Sequence, residues 1–143
     1  MVAYVVHENA LFAREAVYST PNGAIDGFDP VAFHTDGEAI QGSKDFVTEY
    51  RGATWRFASE SHKLLFLHAP EKYAPQYGGY CAFAMANGYT ARSDPDNWTI
   101  EGDRLFLNFD DETQQKWHPD RTALIERADA NWPRSGPGSQ DVR

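Results

Sequence analysis

The chain has 143 residues, a size at which one domain buries a full core without disulfide staples. A formal net charge of -8, with 13 Lys and Arg against 21 Asp and Glu, argues against nucleic acid or an anionic membrane as a partner, since both require clustered cations. The single cysteine excludes an intrachain disulfide and a cysteine-rich zinc cage, and no run approaches the roughly 20 apolar residues of a membrane span.

Aromatic residues make up 14% of the chain, so the core is expected to be built from rings. Leu11, Phe12, Ala16 and Val17 can line one face of a short helix, which makes residues 1–19 an accessory segment, and Ser19-Thr20-Pro21-Asn22-Gly23 reads as a loop. Met1 to Tyr18 has neither a basic start nor a long apolar run, so the expected location is the cytoplasm, or the periplasm where a leader has been removed. Asp26-Gly27-Phe28-Asp29-Pro30 is a turn, Val31-Ala32-Phe33 reads as a short strand, and Thr35-Asp36-Gly37-Glu38 reads as a hairpin turn leading into Ala39-Ile40. Ser43 looks like an N-cap, with a short helix over Lys44 to Tyr50.

Ala53 to Phe57 alternates as a strand, with Trp55 and Phe57 on one face. Ser59 caps a helix through Leu67 in which Leu64, Leu65 and Phe66 are expected to face inward. Pro70 and Pro75 bracket a short helical or turn segment containing Tyr73. A helix from about Tyr80 to Ala86 follows, with Cys81 in its first turn and Asn87-Gly88 as its end. After a turn at Asp94 to Asn97, Trp98-Thr99-Ile100 and Leu105 to Phe109 form a hairpin about Glu101-Gly102-Asp103. Asp111 to Trp117 and Pro119 to Asn131 read as helices, the second ended by Pro133, and the Gly-, Pro- and Ser-rich residues 134–143 form a disordered tail. The expected fold is α+β, a small antiparallel sheet with several short helices packed around it in a single domain.

Three phrases carry a resemblance: Gly27-Phe28-Asp29-Pro30-Val31-Ala32-Phe33, Gly52-Ala53-Thr54-Trp55-Arg56-Phe57-Ala58-Ser59, and Pro70-Glu71-Lys72-Tyr73-Ala74-Pro75-Gln76-Tyr77-Gly78-Gly79-Tyr80-Cys81. The chain resembles the YHS-domain family in its stand-alone bacterial form, over about residues 20–133. The resemblance implies metal binding. Metal-binding members carry cysteine after the Asp-Pro-Val element and in a Phe-Cys-Ser-x-x-Cys element, where this chain has Ala32, Ala58 and His62. His62 thus stands where relatives place a metal cysteine, or is a surface histidine.

Cys81, beside Gly78-Gly79 near a helix start, suits either a thiolate ligand or nucleophile, or a small buried core residue. Met85, four residues on, is a soft donor on the same helix face or a core filler, and His34 after a buried strand can point into the same pocket. Tyr77, Gly78, Gly79 and Tyr80 are candidates for a ligand pocket, or for packing and a tight turn. The leading expectation is a non-catalytic protein of metal handling or sensing, with Cys81, His62, His34 and Met85 as the metal site and a copper ion ahead of zinc. Two alternatives stand beside it: a thiol-dependent enzyme or accessory subunit using Cys81, and an interaction module or homo-oligomer that exposes rings from the Trp98 hairpin or the C-terminal helix.

Overall fold

The computed structural model describes residues 15–134. The helix expected to begin at Leu11 lies mostly outside them, as does the expected tail from residue 135, and Glu15 to Val17 are not helical. The fold is α+β, with its strands in three two-stranded antiparallel pairs and no barrel. In chain order the main elements are β1 (Ser19–Thr20), β2 (Gly23–Ala24), α1 (Pro30–Thr35), β3 (Ser43–Tyr50), β4 (Ala53–Phe57), α2 (Glu60–His68), α3 (Pro70–Tyr73), α4 (Ala82–Ala86), β5 (Asp94–Glu101), β6 (Arg104–Asn108), α5 (Asp111–Trp117) and α6 (Arg121–Arg134).

Several expectations are corrected. Val31-Ala32-Phe33 is helical because Asp29 caps the segment, its Oδ1 accepting the Val31 and Ala32 N–H groups at 2.8 and 3.2 Å, and Pro30 supplies a first helical residue with no N–H to satisfy. The following Thr35 to Glu38 is therefore a helix end rather than a hairpin turn. Lys44 to Tyr50 is strand instead of helix: Phe46, Thr48 and Tyr50 are half-buried while Val47 and Glu49 are exposed, a period of two, and β4 provides the pairing partner. Arg51 and Gly52 join these strands as a two-residue turn, both at positive φ (53° and 79°).

The third correction concerns α2, which Ser59 caps as expected, its Oγ accepting the His62 N–H at 3.1 Å. Only Phe66 of its apolar residues is buried; Leu64 and Leu65 are 55% and 40% exposed and turn outward with Leu67. The second hairpin and α5 fall where expected, except that Asp94 to Asn97, expected as a turn, is the first half of β5, its register with β6 interrupted before Trp98; α6 runs through Pro133. The rings of the interaction-module alternative are half-buried: Trp98 packs against Phe33 and Trp132 against Tyr77 and Tyr80.

Two apolar clusters form the interior. One gathers Ile25, Val31, Phe33, Trp55, Phe57 and Phe66, and the other Tyr77, Met85, Trp117, Leu124 and Ala128. Strand β6 is the wall between them, because alternate side chains leave a strand on opposite faces: Leu105 and Leu107 enter the first cluster and Phe106 the second. No helix among the described residues is long and apolar enough to cross a membrane.

Candidate functional site

The chain ends of α1, β4 and α2 meet at a fully buried carboxylate. Asp29 Oδ1 accepts the two N–H groups at the start of α1, while Oδ2 accepts the Ala58 N–H just after β4 at 2.8 Å and lies 2.6 Å from His62 Nδ1 on α2. A carboxylate oxygen that accepts an N–H has an acceptor to offer, so the imidazole proton belongs on Nδ1. The other ring nitrogen, Nε2, faces Thr35 Oγ1 at 3.3 Å and Asp36 Oδ1 at 3.6 Å, both at the end of α1. The His62 side chain is 14% exposed, so the ring is gripped on one edge and reachable on the other.

The three positions compared above with metal cysteines, Ala32, Ala58 and His62, all touch this one carboxylate. Ala32 is far in sequence from Ala58 and His62, and the cap on α1 and the cap on α2 bring them together. Asp29, read from sequence as a turn residue, is the group sequence reasoning missed. Its signal was the Asp-Pro pair, which starts a helix as readily as it makes a turn.

The other expected donors lie elsewhere. Cys81 is the N-cap of α4, 1% exposed, with its thiol donating to Asn108 Oδ1 at 3.5 Å and its Sγ accepting the Ala84 N–H at 3.5 Å. Burial pushes the thiol up, and the N–H groups of Ala84, Phe109 and Phe83 only oppose that. Of the two readings of Cys81, the buried position matches the small core residue: a five-residue helix offers little dipole to set against desolvation. Asn108 ties the thiol into a polar chain, accepting the Phe83 N–H at 3.0 Å and donating to Gln114 Oε1 at 2.7 Å.

Met85 is fully buried in the second cluster. His34 stacks edge-on against Tyr73 at 5.4 Å, burial pushes its pKa down, and its Nε2 is buried with no hydrogen-bond partner among the described residues. Among the described residues no three His, Cys, Asp or Glu side chains are grouped to hold a metal ion. The donors thus do not fit a soft Cys/Met copper site with imidazole completion.

Of the expected pocket residues, Tyr77 and Gly78 line a cleft of about 300 Å³. Gly79 serves packing, since a Cβ there would meet Ile25 Cγ2 at 2.5 Å, and the Tyr80 hydroxyl donates to the Glu15 carbonyl at 3.1 Å. The Tyr77 hydroxyl donates to Asp129 Oδ1 at 2.8 Å, and burial and that carboxylate together raise its pKa.

Residues 31–77 match the family model of the YHS domain. YHS domains are associated with metal, and with copper in particular. The match contains His34 and His62 and leaves Cys81 and Met85 outside it. No curated protein and no solved structure matches the chain.

Proposed function

We propose that the chain is a non-catalytic metal-handling module whose metal-facing group is His62 rather than Cys81. The observation that carries this reading is the Asp29–His62 pair: the buried carboxylate fixes the ring through Nδ1 and leaves Nε2 aimed at Asp36. A histidine oriented through its second nitrogen by a carboxylate is the arrangement that makes imidazole a better and more rigid ligand. Imidazole with carboxylate and hydroxyl is a borderline-to-hard donor set, which suits copper(II) first and zinc(II) after it, and not copper(I). Asp36 and His62 are two protein donors, so the remaining positions belong to water or to a partner molecule. That favours an exchangeable ion over a structural one.

The test is titration of the metal-free protein with copper(II), followed by electron paramagnetic resonance. His62→Asn is the informative variant, since its amide still donates to Asp29 while Nε2 is gone. One equivalent of copper(II) with nitrogen coupling, lost in His62→Asn, weakened in Asp36→Asn and unchanged in Cys81→Ser, is the expected result. Undiminished binding in His62→Asn, or loss in Cys81→Ser, overturns the assignment.

A further inference from the structure

Helix α2 sends one apolar residue, Phe66, into the first cluster. At about 100° per residue, Leu64 points away from Phe66, and Glu60, Ser61, Leu67 and His68 all lie within about 60° of Leu64. These five residues are exposed, Leu64 and Leu67 by 55% and 50%, and Leu65 borders them at 40%. The solvent side of a helix is ordinarily polar, and three exposed leucines within one turn make the contiguous apolar surface that marks an interaction site. His62 lies on the other side of the helix, held by Asp29, so this face is separate from the candidate metal position.

The order of residues along the face says what covers it. The face is self-complementary when a second copy of α2 lies antiparallel across it, related by a two-fold axis at Leu64. Leu64 then meets its own counterpart, and each Leu67 meets the small Ser61 of the other copy. Each Glu60 meets the other copy's His68, so that the carboxylate accepts an imidazole N–H. A parallel arrangement would instead set Glu60 against Glu60, His68 against His68 and Leu67 against Leu67. Antiparallel packing also brings the acidic first turn of one helix to the basic last turn of the other, which opposes the two dipoles favourably.

Charge leads to the same occupant. On a chain of net charge -8, this face holds a single carboxylate, Glu60, with Lys63 following it on the helix. Two acidic molecules therefore meet here against less repulsion than their totals imply, whereas a basic partner finds one carboxylate to grip and an anionic membrane is opposed by the whole chain. The patch is also small: the nine residues of α2 span about 13 Å. That is well short of what a permanent dimer buries, so the association is weak and reversible.

We propose that the Leu64 face of α2 is a reversible homodimer interface in which the helix pairs antiparallel with its copy. The test is sedimentation velocity on the full chain, free of metal, from micromolar to millimolar concentration. The sedimentation coefficient is expected to rise towards that of a dimer, and Leu64→Glu, which sets like charges together at the axis, should weaken association about a hundredfold. Its circular dichroism should stay that of the parent, because the side chain is exposed. Glu60→His and His68→Glu should each weaken the dimer, and the two together should restore it. Orientation is read by coupling thiols with diamide: Cys81 is buried, so Leu64→Cys carries one accessible thiol and should couple quickly to its counterpart, while Glu60→Cys, at opposite ends of the pair, should couple slowly. A chain monomeric at every concentration, association undiminished in Leu64→Glu, no recovery in the double exchange, or Glu60→Cys coupling as fast as Leu64→Cys each overturns the proposal.

Discussion

Cys81 illustrates how one residue's neighbours decide its chemistry. Position at a helix start and burial act on the thiol in opposite directions, and the second is the larger. Because folding raises the thiol above its ordinary value, the folded chain retains a proton that the unfolded chain has lost at alkaline pH. The stability this gives is complete below the unfolded thiol's pKa, near about 8.5, and drains away as pH climbs towards the folded value. Urea midpoints measured across this range should therefore fall more steeply for the parent than for Cys81→Ala; parallel curves would show that the thiol contributes nothing. The position of Cys81 beside a helix was legible in the sequence. Its burial stood there as one of two readings, and the choice between them depends on Asn108 and Leu107 of β6, more than twenty residues away.

At the scale of elements, the β3–β4 hairpin places a residue against its local backbone preference. A two-residue turn with positive φ at both positions favours Asn-Gly, and this chain places Arg51 there. Arg51→Asn should raise unfolding free energy by about 0.5–1 kcal/mol in urea denaturation. Lower stability in this variant would mean that the Arg51 contacts with Tyr50 and Glu71 outweigh the backbone strain. The same hairpin marks the limit of reading elements from sequence. Strand β4 was legible because Ala53, Trp55 and Phe57 alternate strictly, and α2 because Ser59 is an unambiguous cap. Strand β3 was not: its charged, mixed residues satisfy a helix cap rule at Ser43, and only pairing with β4 selects the extended form. In the same way three apolar residues at Val31 to Phe33 are too few to express either period, and the Asp29 cap decides.

For the whole molecule, the decisive element is β6, whose two faces belong to different clusters. Such a strand has no solvent side, so its residues must satisfy two packing environments at once. Phe106→Ala should cost about 3–5 kcal/mol, and the loss should be felt on both sides of the strand. Fluorescence of single-tryptophan versions retaining Trp55 in one cluster or Trp117 in the other should then report coincident transitions in the parent. Transitions that separate would mean that β6 does not couple the clusters. The candidate metal position was legible only through the quoted family phrases, which point to 32, 58 and 62; that these positions meet follows from the stacking of α1, β4 and α2.

The Asp29 carboxylate has one more consequence. The amide hydrogens of Val31, Ala32 and Ala58, from two distant segments, all rest on this one side chain. Their exchange with deuterated solvent therefore has a common gate: whatever loosens the carboxylate exposes all three together, so the residues that hold His62 in place breathe as a set.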